Sequence, residues 1–293
     1  ALRFGGFRQG GYLHETDQLA LLQLDEVVVD DESAVSTDGA TPIRATWHPI
    51  TAKLQSGRSL ETLRSLGVAR AYHATAPIYG RYFVTMGGIQ SRLGCSVLEP
   101  CILDTHTWTW LDQLNIETGE QPTGRHGCSL IWDEARQRLV LFGGATGRDI
   151  VRSGSDVCDV WQLQPTTVLP ASMTHEDFLK SFPWQWTQIH ENQNRFDESD
   201  METEVSPTSL SPAESLCLGR CHPAPHVTRD TVLFVFGSAK PSTNGILGYD
   251  LSRDEFRRPR VQGTLPAPRL CFASAFLPQH NSIWVHSGWS TQI

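Results

Sequence analysis

A short run of apolar residues that ends in a glycine pair recurs along this chain. Its clearest copy is RLVLFGG, from Arg138 to Gly144, where the β-branched and aromatic residues indicate a buried strand. Glycine reaches a positive φ without a Cβ clash, so the pair predicts a backbone turn that other residues adopt only with strain. The other copies end at Gly6, Gly88 and Ser238, and a degenerate fifth copy is IWVHSGW, from Ile283 to Trp289.

Each copy belongs to a longer unit of four predicted strands. An arginine precedes the glycine pair by 17 or 18 residues, and two strands joined by a short polar turn lie between them. A third strand follows the pair, for example from Val97 to Asp104, and the fourth is marked by an aromatic residue. Four-stranded units that repeat roughly every 50 residues are typical of β-propeller blades. The arginines are Arg70, Arg125, Arg220 and Arg269, and the aromatic residues are Trp47, Trp108 or Trp110, Trp184 or Trp186, and Phe256.

The unit resembles the kelch repeat over nearly the whole chain. The resemblance lies in the opening arginine, fullest in Arg70-Ala-Tyr-His73, in the glycine pair, and in the later aromatic pair such as Trp161 with Trp186. It implies an all-β fold, a kelch-type propeller with long loop insertions. The chain departs from the pattern where Cys128, Pro223 and Phe272 replace the histidine and where Ser238 and Ser287 each replace a glycine.

The spacing of the repeats predicts insertions within a single propeller segment that spans residues 1–293. Successive glycine pairs are 82, 56, 94 and 50 residues apart, and a bare blade accounts for about 50. The excess places insertions at residues 26–45, 51–67, 165–183 and 190–218. Residues 59–66 are predicted to form a short helix, and Thr174 with Asp177 three residues on predicts a capped helix. The last insertion is acidic and rich in Ser and Pro, which predicts a solvated loop.

The number of predicted strands bears on ring closure. The chain has three strands, then three sets of four, then two, which makes 17. Seventeen strands do not close a ring of four-stranded blades, and an open propeller leaves unpaired strand edges. We therefore expect about five recognisable blades, the first and last incomplete. They are expected to belong to a longer protein with a six- or seven-bladed ring, or to receive strands from elsewhere.

Composition narrows the class of partner and the compartment. The net charge of -8 argues against nucleic acid or an anionic membrane as the main partner. No apolar run approaches the roughly 18 residues that span a bilayer, which predicts no membrane insertion. The seven cysteines form an odd, scattered set, which is typical of reduced thiols in an intracellular, cytoplasmic protein.

The recurring arginines allow two interpretations. They could bind loop carbonyls or acids of the neighbouring blade, or they could form a ring of cations suited to a carboxylate-bearing peptide. In kelch adaptors that bind peptides, the contacts come from this arginine region and from the loops just after the glycine pair. The partner-binding residues that the resemblance implies in this chain are Arg70, Arg125, Arg220, Arg269, Arg8, Gln9, Gln90, Arg92, Arg148 and Lys240.

The sequence contains no linear catalytic or cofactor motif. Cys217, Cys221 and His222 have metal-ligand spacing but lack a second Cys/His pair nearby, so no metal is predicted. Some kelch propellers are copper oxidases or iron-dependent specifier proteins. We find neither the Glu-x-x-x-Asp-x-x-x-His run of the latter nor a Gly-x-Ser-x-Gly elbow, a Walker loop or a His-Glu-x-x-His motif. A propeller could still gather dispersed histidines at its axis, although His73 and His126 stand at equivalent strand starts, where packing roles are expected.

We therefore expect a non-catalytic protein-interaction scaffold or recognition module, a subunit or adaptor in a larger assembly whose partners are other proteins. The alternative is the propeller domain of an enzyme, or a companion domain to a transferase outside this segment. An enzyme needs several polar side chains with perturbed pKa values in one pocket. A scaffold needs an apolar patch with aromatic or arginine anchors.

Overall fold

The chain forms several antiparallel β-sheets with few helices. The computed structural model describes residues 2–4, 7–8, 14–15, 19–26, 43–54, 70–90, 95–111, 114–147, 156–170, 172–191, 224–235, 246–257, 259–264, 266–267, 269–270, 272–286 and 288–290. The all-β class predicted from the sequence is therefore confirmed. Within these ranges, no helix combines the length and the apolar character that crossing a membrane requires.

The strands of each large sheet follow one another in chain order. The first sheet consists of β1 (Leu2–Phe4), β4 (Leu19–Glu26) and β5 (Ile43–Ile50). The second consists of β7 (Ala74–Ile78), β8 (Tyr82–Met86), β11 (Cys101–Asp104) and β12 (Thr109–Trp110), with β6 (Lys53–Leu54) added at its outer edge. The third consists of β13 (Ser129–Asp133), β14 (Arg138–Ala145), β15 (Asp156–Pro165) and β16 (Trp184–His190), and the fourth of β17 (Ala224–Thr228), β18 (Thr231–Val235), β19 (Ile246–Asp250) and β20 (Glu255–Arg257).

A further hairpin follows the fourth sheet, and three smaller strand pairs complete the described structure. The hairpin pairs β22 (Ala273–Leu277) with β23 (Ser282–His286) around a 3-10 turn at Pro278–His280. The small pairs are β2 (Phe7–Arg8) with β3 (His14–Glu15), β9 (Ile89–Gln90) with β10 (Cys95–Ser96), and β21 (Arg269–Leu270) with β24 (Trp289–Ser290). The predicted sequence of three strands, three sets of four and a final pair matches the large sheets and the β22–β23 hairpin.

The core lies between sheets that stack face to face. On β14, Leu139 and Leu141 belong to the apolar cluster shared with the second sheet, whereas Val140 and Phe142 belong to the cluster shared with the fourth. Every residue of β14 is buried, because a neighbouring sheet covers each face. Burying each such Val, Leu or Phe side chain stabilises the fold by about 1.5–3 kcal/mol.

The first hairpins of the second, third and fourth sheets, and the β22–β23 hairpin, each turn through a residue in the left-handed region. These turn residues are Tyr79, Gln137, Arg229 and Asn281, with φ values of 50°, 52°, 54° and 46°. The glycine pairs also have positive φ, at 67° and 101° for Gly87 and Gly88 and at 49° and 106° for Gly143 and Gly144. The turn predicted at the glycine pair is therefore confirmed for the second and third sheets.

The chain that leaves one sheet runs along the outer strand of the next. After β5, strand β6 pairs in parallel with β12. After β12, residues 115–117 run parallel to β16, where Trp184 N donates to Asn115 O (2.7 Å) and Glu117 N donates to Trp184 O (2.8 Å). The outer edges of the second and third sheets are thereby paired, which removes an exposed row of backbone donors and acceptors.

The predicted insertions differ from the structure at their boundaries. Glu26 and residues 43–45 belong to the paired strands β4 and β5, and residues 53–54 form β6. The predicted helix of residues 59–66 and nearly all of the acidic insertion lie outside the described residues. The third strand of the second sheet begins at Cys101 rather than at Val97.

The capped helix predicted near Thr174 is confirmed. Helix α1 spans His175–Ser181, and Asp177 N donates to the Thr174 hydroxyl at 3.1 Å. Phe178 and Leu179 bury the helix against the cluster between the second and third sheets. The helix therefore covers one end of the interface between these two sheets.

Candidate functional site

Arg70 and Arg125, the two repeat arginines whose side chains the structure describes, close the same kind of backbone turn in successive sheets. Arg70 precedes β7 and Arg125 precedes β13, and both are 0% exposed. Arg70 Nη1 donates to Gly87 O at 3.0 Å, and Arg125 Nη1 donates to Gly143 O at 3.3 Å. Each guanidinium thus binds the carbonyl of the first glycine of its own repeat. We call this end of the sheets the glycine rim, comprising Arg70, Gln90, Ser96, Arg125, His126, Asp159 and the two glycine pairs.

The remaining partners of the two arginines differ. Arg125 forms a buried two-bond ion pair with Asp159, in which Nη1 binds Oδ1 and Nη2 binds Oδ2 at 3.0 Å. Trp161 Nε1 donates to the same carboxylate at 2.7 Å. Arg70 instead donates to the backbone carbonyl of Glu99 (3.0 Å) and to the thiol of Cys101 (3.1 Å). These bonds are structural, but they stay within the arginine's own sheet and do not reach the neighbouring sheet that the first interpretation named.

The glycine pairs also allow neighbouring sheets to approach closely. Gly88 N donates to Arg125 O at 2.7 Å, and Gly127 N donates to Tyr72 O at 2.8 Å. A Cβ on Gly87 would lie 2.7 Å from Arg125 O, and one on Gly144 would lie 2.8 Å from His126 O. A side chain does not fit at these distances, so the pair is required by packing as well as by φ.

A serine and a histidine meet at the rim between the second and third sheets. Ser96 Oγ donates to Gly147 O at 2.8 Å and lies 2.9 Å from His126 Nδ1. Because a hydroxyl has one proton, Ser96 accepts from Nδ1–H of His126. Burial lowers the pKa of His126, so its imidazole is neutral at pH 7. The histidine is therefore a donor to Ser96 rather than a base that would activate it as a nucleophile.

Burial also shifts the pKa values of two titratable groups next to the glycine rim, His73 and Cys128. Burial, together with the charge of Arg70, lowers the pKa of His73 to about 4. Burial raises the pKa of Cys128 to about 11, so its thiol is protonated at neutral pH. Both groups are uncharged at pH 7, in keeping with the packing roles expected for this position of the repeat.

Gln90 is the one predicted partner-binding residue outside the arginine set whose side chain the structure describes. It is 5% exposed, and its Nε2 has no hydrogen-bond partner among the described residues. A buried amide donor without a partner costs about 1–3 kcal/mol. Gln90 therefore offers a donor at the rim, beside the β9–β10 hairpin.

For the other predicted partner-binding residues, either the structure describes the backbone alone or the residue lies outside the described ranges. Arg8 and Arg269 lie in β2 and β21. Outside the described residues lie Gln9, Arg92, Arg148, Arg220 and Lys240, and the cysteine and histidine set Cys217, Cys221 and His222. Among the residues that are described, no group of three or more His, Cys, Asp or Glu side chains could hold a metal ion. Cys101, Cys128 and Cys158 are free thiols.

Sequence reasoning missed a second ionic cluster, at the turn end of the sheets. Arg138 pairs with Asp133 (Nε to Oδ2, 3.0 Å) within the third sheet and with Asp254 (Nη2 to Oδ1, 2.7 Å) in the fourth. It also donates to Leu251 O at 2.7 Å. His190 Nε2 lies 2.7 Å from Asp254 O across the same interface. In the sequence, the only sign of this link between the third and fourth sheets was the pair Asp133 and Arg138 on either side of the β13–β14 turn.

Models of known protein families give no match to this chain. Curated proteins likewise give no match.

Proposed function

We propose that this chain is a segment of a kelch-type β-propeller that serves as a non-catalytic protein-interaction scaffold or recognition module. The propeller is supported by the stacking of the sheets. The first strands of successive units, β7, β13, β17 and β22, lie beside one another in chain order. Innermost strands of blades are arranged in this way around a propeller axis.

One observation is the basis of the scaffold proposal. The charged and titratable groups of the glycine rim bind other groups of the same chain and so hold the backbone at this end of the sheets. Arg125 holds Asp159 and the Gly143 carbonyl, Arg70 holds the Gly87 carbonyl, and His126 holds Ser96. These contacts fix the point at which each loop leaves its sheet. Loops fixed at their bases by a rigid frame are the usual location of binding residues.

The partner contacts are assigned to the loops that follow the glycine pairs. Arg92, Arg148 and Lys240 each lie within a few residues of the end of a second strand. Cations that follow the second strand in the sequence of three successive units suit an acidic protein segment. Gln90 ends strand β9, directly before the first of these segments.

The test compares two sets of charge reversals on the full chain. Arg92→Glu/Arg148→Glu/Lys240→Glu changes the rim loops, and Arg229→Glu/Arg253→Glu/Arg260→Glu changes exposed arginines elsewhere by the same charge. Crosslinking mass spectrometry of affinity-purified complexes is expected to lose partner crosslinks to the rim loops in the first variant alone. Identical partners and crosslinks in both variants would refute the assignment to these loops.

A third variant separates the acidic insertion from the rim. Residues 192–218 are replaced by a Gly/Ser linker that starts after Glu191, because His190 belongs to β16 and contacts Asp254. We expect this variant to keep the crosslinks at the rim loops. Loss of the partners on this replacement, with the charge-reversed rim still binding, would move the interaction surface to the insertion.

A further inference from the structure

Four aromatic side chains beneath α1 carry buried polar atoms that lack a hydrogen-bond partner among the residues that the structure describes. The atoms are two tyrosine hydroxyl oxygens and two indole nitrogens, in Tyr79, Tyr82, Trp132 and Trp184. Tyr82 and Trp184 are 0% exposed. We call these four residues the aromatic cluster.

The aromatic cluster lies where α1 covers the boundary between the second and third sheets. Tyr79, at the β7–β8 turn, stacks its ring on that of His175, the first residue of α1, with the centroids 4.1 Å apart. Trp132 of β13 meets the same tyrosine ring edge to face at 5.1 Å. Trp184 of β16 meets Phe178 of α1 at 6.3 Å. All four members pack in or against the apolar cluster that the two sheets share, so they form one buried region under the helix.

Two buried aromatic groups outside this cluster show the bonding that is usual in a protein interior. Trp161 Nε1 donates to Asp159 at 2.7 Å, and Tyr249 Oη donates to Asp254 Oδ1 at 3.1 Å. Indole N–H and tyrosine hydroxyl groups usually find such partners when they are buried, because each one left without a partner weakens the fold. Four such groups in one region therefore indicate a bound group that supplies their partners.

The aromatic cluster offers donors, so the bound group has to accept hydrogen bonds. An indole N–H can only donate. Burial raises the pKa of Tyr79 to about 12 and also raises the pKa of Tyr82, so both hydroxyls keep their protons at neutral pH. The cation beside Tyr82 is Arg81, which is paired within the chain with Asp104 at 2.8 Å and Glu176 at 3.4 Å. The region therefore suits a neutral group with acceptor oxygens.

We propose that the aromatic cluster binds a neutral ligand through the ligand's acceptor oxygens, beneath α1 at the turn end of the sheets. Two sources supply this chemistry, namely ordered water molecules and a small molecule with carbonyl or ether oxygens. Ordered water bridges buried polar groups, and apolar walls with a few polar groups are typical of small-molecule sites. The apolar cluster around the site includes Leu139, Leu163 and Leu179. The inference does not depend on the proposed partner-binding loops, which follow the glycine pairs at the other end.

Removal of single hydroxyl groups tests whether these donors are bonded. Tyr79→Phe and Tyr82→Phe each delete one oxygen and keep the ring, and the control Tyr249→Phe deletes a hydroxyl whose partner is Asp254. Urea unfolding of the full chain, followed by circular dichroism, gives the equilibrium constant of unfolding. We expect all three substitutions to raise this constant about fivefold, because a bonded hydroxyl contributes stability. An unchanged or lower constant in the two cluster variants would overturn the proposal, since a buried hydroxyl without a partner destabilises the fold.

Crystallography and native mass spectrometry of the full chain identify the source. The electron density is expected to show non-protein oxygens within about 3.2 Å of more than one donor atom of the aromatic cluster. Separate water peaks, with a native mass equal to that of the polypeptide, assign the ligand to water. Connected density, with a mass excess that is lost on denaturation, assigns it to a small molecule. Acceptors that come from the chain's own residues alone, or density with no acceptor near these donors, would overturn the proposal.

Discussion

The buried ion pair between Arg125 and Asp159 is expected to be strongly coupled to stability. The Arg125 side chain is 0% exposed and that of Asp159 is 8% exposed, so removal of either partner leaves a charge with little water around it. Breaking such a pair costs about 3–5 kcal/mol, a large part of the roughly 5–15 kcal/mol that keeps a domain folded. Replacing both partners with apolar residues of similar volume removes both charges and is far less costly than the sum.

A double-mutant cycle measures this coupling. The variants are Arg125→Met, Asp159→Leu and the double substitution, with Arg253→Met as an exposed control. Urea unfolding followed by circular dichroism gives each free energy of unfolding, and we expect each single variant to lose about 3–5 kcal/mol and the control less than about 0.5 kcal/mol. The coupling energy is expected to be about 2–3 kcal/mol. Costs that add to within about 0.5 kcal/mol would refute the reasoning, because independent sites behave in that way.

Three further predictions concern single positions. Gly80→Ala meets open space at φ +63° and should cost about 1–2 kcal/mol in urea unfolding, whereas Gly87→Ala also meets Arg125 O and should cost clearly more; equal costs would argue against the close approach. The lowered pKa of His73, about 4, means that the unfolded chain binds its proton more readily, so stability should fall between about pH 6.5 and 4; His73→Gln should flatten this fall in unfolding curves measured at each pH. Thr174→Ala removes the cap of α1 and should cost about 1 kcal/mol, and Thr174→Ser should recover most of it.

The local pattern of the sequence predicts the strands well. A strand that neighbouring sheets cover on both faces needs apolar residues at every position, and such a run is visible in the sequence. On β14, the unbroken apolar run corresponds to burial on both faces, and the glycine pair corresponds to positive φ at Gly143 and Gly144. The start of the third strand of the second sheet could not be predicted from this pattern. Val97 N donates to Gly88 O, and Glu99 O accepts from Arg70, so the backbone of this segment is bonded to the rim rather than to a strand.

The contacts between distant residues could not be predicted from the sequence. Asp159 in β15 binds Arg125, which precedes β13, and this contact depends on how the strands of the third sheet are paired rather than on any local pattern. The exposure of Trp47 was equally hidden, because its pattern matches that of Trp110 and Trp186, which other described residues cover.

The two ends of the sheets are held together by different means, and this difference bears on where the chain tolerates change. At the glycine rim, neighbouring sheets are joined by the contact of Ser96 with His126 and by backbone bonds such as Gly88 N to Arg125 O, and the backbone bonds do not depend on the identity of a loop side chain. At the turn end, they are joined by side chains, as in the ion pair of Arg138 with Asp254. Substitutions in the loops beyond the rim therefore leave the packing of the sheets intact, whereas substitutions at Arg138 or Asp254 loosen the contact between the third and fourth sheets.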